Sequence, residues 1–188
     1  MRVIFANQKL PETPRSGIVE NSLFLVGPTP RDEGVPSWRP QAIEILKRRG
    51  FDGYVFVPED DLWGFQGDYD HQVWWEIEGL GKSAVIACWL DRKMPDMPAF
   101  TTNTEVGMAL MARPDRFVLG APDDAVKVRY QKTLAGQIGR LHCAFGMSSP
   151  VQEVPIVSSL EDLMVKSMEM AKPRTVWGRR DVEDEMNY

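Results

Sequence analysis

Three acidic residues give this chain its clearest chemical possibilities. Asp91 follows the apolar run 84–89 after Leu90, Glu105 closes Thr102-Asn103-Thr104-Glu105 at the opening of a predicted helix, and Glu76 sits on the predicted helix that feeds into that run. Open α/β sheets bind ligands in a crevice beyond the carboxyl ends of their strands, and on such a sheet the three acids converge there. Carboxyls held together in an apolar, Trp-rich cleft are pushed to different pKa values, leaving one ionised and one protonated. That division of labour suits substitution at an anomeric carbon, where one carboxylate attacks and another acid protonates the leaving group.

Each acid also has a structural reading. Glu105 completes Thr102-x-x-Glu105, the pattern of a capping box. Glu76 fits the solvated face of an amphipathic helix, and Asp91, followed by Arg92 and Lys93, fits a local ion pair. Other motifs carry less. Gly79-Leu80-Gly81-Lys82-Ser83 ends like a phosphate loop, but Glu76 stands where that loop needs its first glycine. The order is also reversed, a helix ending where a strand begins, so a helix C-terminus is the better reading. His71 and His142 have no partners at metal-ligand or triad spacing, and Cys88 lies inside an apolar strand as a small core residue. No metal and no cofactor is implied.

The elements that must position the acids follow from hydrophobic patterning. Short apolar runs at 23–26, 54–57, 84–89, 117–119 and 154–157 alternate with amphipathic stretches, as expected for an open five-stranded parallel sheet with helices on both faces. Helices are predicted from about 38–40 to 49, over 69–80, from 102 to 111, over a weakly patterned stretch at 126–140, and from the capping box Ser158-Ser159-Leu160-Glu161 to 170. The run 84–89 is the most continuous and so belongs at the centre of the sheet. The stretch 58–68, with Glu59, Asp60, Asp61 and three aromatics, reads as a loop over the carboxyl end of the sheet.

Composition bounds the partners. The 188 residues suffice for one domain, with 22 basic against 27 acidic side chains and a net charge of −5. That balance argues against stable nucleic-acid binding or an anionic membrane surface. Two cysteines are too few for a disulfide framework, and no signal segment or bilayer-spanning run is present, so the expected location is cytoplasmic.

Four stretches together resemble the nucleoside 2-deoxyribosyltransferase family, in particular its deoxyribosyltransferase-like subgroup. They are Leu23-Phe24-Leu25-Val26-Gly27-Pro28-Thr29-Pro30-Arg31, Trp74-Trp75-Glu76-Ile77-Glu78-Gly79-Leu80, Cys88-Trp89-Leu90-Asp91-Arg92 and Phe100-Thr101-Thr102-Asn103-Thr104-Glu105-Val106-Gly107. The resemblance implies a flavodoxin-like sheet and cleavage of the N-glycosidic bond of a 2'-deoxynucleoside through a covalent deoxyribosyl-enzyme. It makes Glu105 the nucleophile, kept ionised at a helix N-terminus, and Asp91 the acid that helps protonate the base. Glu76 takes the place of a base-binding aspartate, and Gly27, Pro28, Thr29 and Arg31 form the turn lining the sugar. Asn103 joins the substrate-binding set, and Trp63, Trp75 or Trp89 would stack on the base.

Departures from the family accompany the likeness. Phe24 and Leu25 stand where many members carry a tyrosine, leaving Thr101, Asn103 or Tyr69 to orient Glu105. The Asn-x-Met that holds a 5'-hydroxyl has no match near Arg129-Tyr130, and Arg31 or Arg129 would instead suit a 5'-phosphate. The implied partners are a deoxynucleoside or deoxynucleotide, a free nucleobase and further copies of the chain as a homo-oligomer. Hydrolysis of a deoxynucleoside 5'-monophosphate and a non-catalytic nucleotide-binding module are the alternatives. The expected organisation is an N-terminal extension at 1–21, the domain at 22–171, and a charged tail at 172–188 whose Tyr188 resembles a site-closing C-terminus.

Overall fold

The structure, a computed structural model, describes residues 1–13, 17–30, 35–61 and 68–172. Arg31, Trp63 and Tyr188, all singled out in the sequence, lie outside the described residues. The elements in chain order are β1 (Arg2–Phe5), β2 (Val19–Val26), α1 (Arg39–Arg48), β3 (Tyr54–Val57), α2 (Tyr69–Lys82), β4 (Ser83–Trp89), α3 (Phe100–Ala112), a single 3-10 turn (Pro114–Arg116), β5 (Phe117–Gly120), α4 (Arg129–Gly136), α5 (Ile138–Ala144), β6 (Ile156–Val157) and α6 (Leu160–Ala171).

All sheet pairings are parallel and the strand order is β1-β3-β2-β4-β5-β6. Among the described residues the sheet thus has six strands, not the expected five. The five foreseen strands keep the flavodoxin-like order, and Arg2–Phe5 adds an edge strand that pairs with β3 from Arg2 opposite Tyr54 to Phe5 opposite Val57. Only Ile4 of that strand is fully buried, so its sequence lacks the continuous apolar run of an inner strand.

Alternation along β2 divides the core. Leu23 and Leu25 face the layer of α1 and α6, with Ile43, Leu46, Leu163 and Met164, while Phe24 and Val26 face the opposite layer with Leu80, Val106, Leu110 and Ile138. Close packing fixes α2 on that second face: a Cβ on Gly79 would lie 2.5 Å from Cε2 of the fully buried Phe24. Gly79→Ala is therefore expected to cost about 1–3 kcal/mol of stability. Urea unfolding measures it, and an unchanged midpoint would show that the Phe24 ring gives way freely.

Helix starts differ from their sequence signatures in two places. The α3 helix begins at Phe100 after a left-handed Ala99 (φ 55°), without a side-chain cap. Its buried residues Thr102, Glu105, Val106, Ala109 and Leu110 follow i, i+3, i+4, i+7, i+8 spacing, and this buried stripe sets the helix. Thr102 is inside it, so the Thr102-x-x-Glu105 capping box does not form. The α6 helix is capped by Ser159, whose hydroxyl accepts from the Asp162 N–H and donates to the Asp162 carboxylate. That is one residue later than the expected Ser158 to Glu161 pairing, and Glu161 instead binds Arg48 and Arg49, tying α6 to α1. The weakly patterned 126–140 stretch contributes two short helices, α4 and α5. Lys82 ends α2 and Ser83 begins β4, the helix-to-strand order that removes the phosphate-loop reading. Among the described residues no helix is long and apolar enough to cross a membrane.

Candidate active site

The chain leaves β2 for β3 on one side and returns past it to β4 on the other, making a topological switch point between β2 and β4. A cavity of about 580 Å³ opens there, lined by segments that follow β2, β3 and β4 in the chain. Pro28, Thr29 and Pro30 form one wall, α2 supplies Tyr69, Gln72, Val73, Glu76, Ile77 and Leu80, and α3 supplies Phe100, Thr101, Thr104, Glu105 and Met108.

Two carboxyls share this apolar space. Glu105 is 9% exposed on the second turn of α3, and its carboxyl is pushed up to about 8, first by burial and then by the charge of Glu76, with Arg39 pulling the other way. The helix starts at Phe100, too far back for its N-terminal dipole to keep Glu105 ionised, so the expected ionised carboxylate is corrected to one held neutral by burial. Glu76 is likewise raised, by burial, while a hydrogen bond from Gln72 and the charge of Arg39 lower it. The Gln72 amide donates to Glu76 Oε1 at 2.8 Å and to the Pro58 carbonyl at 3.2 Å, fixing the carboxyl on the α2 side of the cavity. A buried pair of this kind holds one proton over a range of pH, supplying a carboxylate and an acid in one place.

The other residues singled out in the sequence are distributed as follows. Pro28 and Thr29 line the cavity. Gly27 stands just behind them, where a Cβ would come 2.5 Å from the Trp89 carbonyl oxygen, so the turn after β2 can sit this close only with glycine. Asp91 is not among the lining residues: one carboxylate oxygen is 3.3 Å from Lys93 Nζ and the other is buried without a hydrogen-bond partner among the described residues. Asn103 also lies apart from the cavity, its carbonyl oxygen accepting from Arg92 and, at 2.7 Å, from Gln131.

Trp75 and Trp89 are not placed to stack on a ligand in this cavity. Trp75 is buried, donates to the Gln8 carbonyl at 2.8 Å and packs on Phe24. Trp89 shares the α1 and α6 face of the sheet with Val85 and Ala87. Among the described residues the aromatic rings that do line the cavity are Tyr69 and Phe100, each the first residue of its helix. Arg129 lies on a separate shallow cleft with Lys127 and Lys132.

A buried ion pair beneath the β2 turn, Arg39 with Glu59, is not legible from residue types and spacing. Its only signal was a glutamate in an acidic loop read as functional. His142 is buried with Nε2 2.9 Å from the Leu110 carbonyl, and Cys88 is a core residue of β4. Among the described residues no group of three or more His, Cys, Asp or Glu side chains is placed to hold a metal ion.

An open parallel sheet whose switch-point cavity holds two interacting carboxyls defines an α/β domain of the class that takes ligands at its strand ends. The chain belongs to the nucleoside 2-deoxyribosyltransferase-like family, whose model matches residues 20–125, more than half of the 188 residues and all of the cavity lining. No curated protein sequence matches it.

Proposed function

We propose that the protein cleaves the N-glycosidic bond of a 2'-deoxynucleoside and passes the deoxyribosyl group to a second base or to water. The observation that carries this reading is the placement of Glu76 and Glu105 in one apolar cavity, where the charge of Glu76 raises Glu105. Glu105 attacks C1'; the new C1'–O bond forms as the C1'–N bond breaks, and the bonding pair goes to the base. Glu76 delivers its proton to a ring nitrogen of that base. The acceptor's nucleophilic atom then attacks C1', its proton passes to Glu76, and Glu105 leaves as carboxylate, so two displacements retain configuration.

In the free protein the more deeply buried Glu105 holds the shared proton. Positive charge developing on the sugar beside Glu105 favours its ionised form, and a basic ring nitrogen beside Glu76 draws the proton to that side. Glu76 rather than Asp91 is the proton donor in this reading, because it faces the same cavity as the nucleophile. Tyr69 and Phe100 supply flat surfaces for the base. Exposed Tyr69, Ile77, Phe100 and Met108 at this cavity support a second copy of the chain covering them. Light scattering is then expected to show a dimer or larger assembly, and a monomer at assay concentration removes that element.

The deciding experiment incubates the protein with each deoxynucleoside and each 5'-monophosphate, with and without a second base, and separates the products. A new nucleoside means transfer and free base alone means hydrolysis. If no substrate loses its base, the reading fails. A 2-fluoro sugar analogue should leave its mass on Glu105.

A further inference from the structure

Arg39 occupies a place that neither helix formation nor solvation explains. It is the first residue of α1, where a cation opposes the helix dipole, and it is 1% exposed, so its charge is also removed from water. Its contacts account for it. Nε donates to the Leu25 carbonyl at 3.2 Å, Nη2 to the Gly27 carbonyl at 2.8 Å, and Nη1 to Thr29 Oγ1 at 3.2 Å and to the Glu59 carboxylate. Four of the five guanidinium N–H groups are thereby used, three of them on the end of β2 and the turn that walls the cavity. Glu59 is held in turn by the Ser37 hydroxyl at 3.1 Å, and the guanidinium lies 5.0 Å from the centroid of the Trp38 ring.

We propose that Arg39 is a positioning residue of this site: anchored by Glu59, its guanidinium fork fixes the 27–30 turn as a cavity wall and places a permanent positive charge within electrostatic reach of Glu76 and Glu105. Two separable effects follow. The fork sets geometry, which a lysine cannot reproduce because its three donors radiate from one atom. The charge favours the ionised form of both carboxyls. The groups acting on Glu105 are Glu76 from α2 and Arg39 from α1, while Glu105 itself acts on Cys88 of β4; Gln72 and Arg39 act on Glu76.

The inference rests on the proposed reaction for its kinetic arm only. The test compares Arg39→Lys with the double variant Arg39→Met/Glu59→Met, which avoids leaving one buried charge alone. Carbon-13 NMR of glutamate-labelled, unliganded protein follows the carboxyl titrations, assigned with Glu105→Gln and Glu76→Gln, and kcat, KM and their pH profiles are measured alongside. Arg39→Lys should keep the Glu105 midpoint and lose about 10- to 100-fold in kcat/KM through a displaced turn. The folded double variant should move that midpoint up by roughly half a unit or more. A midpoint that stays put in the double variant, or Arg39→Lys with kcat and KM both within about twofold of the parent, overturns the proposal. Should the double variant not fold, the Lys variant decides through the same kinetic criterion. A midpoint that moves in a protein with no glycosidic turnover upholds Arg39's electrostatic role while removing the reaction proposed above.

Discussion

Glu105→Gln should abolish turnover and at the same time make the protein more stable at pH 8. The loss follows from removing the attacking oxygen, since an amide is no nucleophile toward C1', and is expected to be roughly 10⁴-fold or more in kcat. The gain follows from linkage. Glu105 has an ordinary value of 4.5 and is pushed up to about 8 in the folded protein. Between those values the unfolded chain has lost the proton and the folded one still holds it, so stability falls as pH rises through this window and levels off above it. Glutamine fills the same space without that penalty. The two proteins should therefore melt together near pH 4.5 and diverge toward pH 8, where the variant gains about 5–10 °C for a difference of a few kcal/mol. Thermal melts across the pH range measure this. A variant that is less stable at pH 8 would mean that Glu105 is a satisfied core residue, and its burial would no longer argue for chemistry.

The same burial explains why some of the site was legible in the sequence and some was not. The inner strands β2 and β4 are covered on both faces, so they are written as continuous apolar runs, and the acids beyond their ends could be placed from those runs. At the edge of the sheet β1 buries chiefly Ile4, which leaves no such run. Trp89 alternates with Val85 and Ala87, so its sheet face could be assigned relative to theirs, but nothing in the alternation says which face the crevice favours. The Thr102 to Glu105 spacing matches a capping box by coincidence: both residues belong to the buried stripe that sets α3. Arg39 and Glu59 were the least visible. An arginine opening a helix and a glutamate in an acidic loop are usually solvated, and only the folded chain places them together beneath the turn after β2.

The second large effect concerns Glu76 and is read in the shape of a pH profile. In the parent protein the productive form carries one proton on the pair, with Glu105 ionised and Glu76 protonated at the moment of attack. Plotted against pH, kcat/KM should be a bell. It falls on the alkaline side near 8, where the pair loses its last proton, and on the acid side where Glu105 and Glu76 are both protonated. Glu76→Gln removes the proton donor and the charge that raises Glu105 together. The rate should drop about 10²- to 10⁴-fold, less for bases that leave readily without protonation. What remains needs only an ionised Glu105, so the bell should become a single limb rising with pH. Its midpoint should lie below that of the parent's alkaline limb but above the ordinary carboxyl range, because burial, the larger cause, is untouched. A variant that keeps the alkaline limb and most of its rate would move the proton donor elsewhere. Asp91 would then return as the donor, since it lies two residues beyond the end of β4 with one carboxylate oxygen buried and without a partner among the described residues. It would have to turn from Lys93 toward the cavity on binding substrate, and a bell lost in Asp91→Asn but kept in Glu76→Gln would establish that exchange of roles.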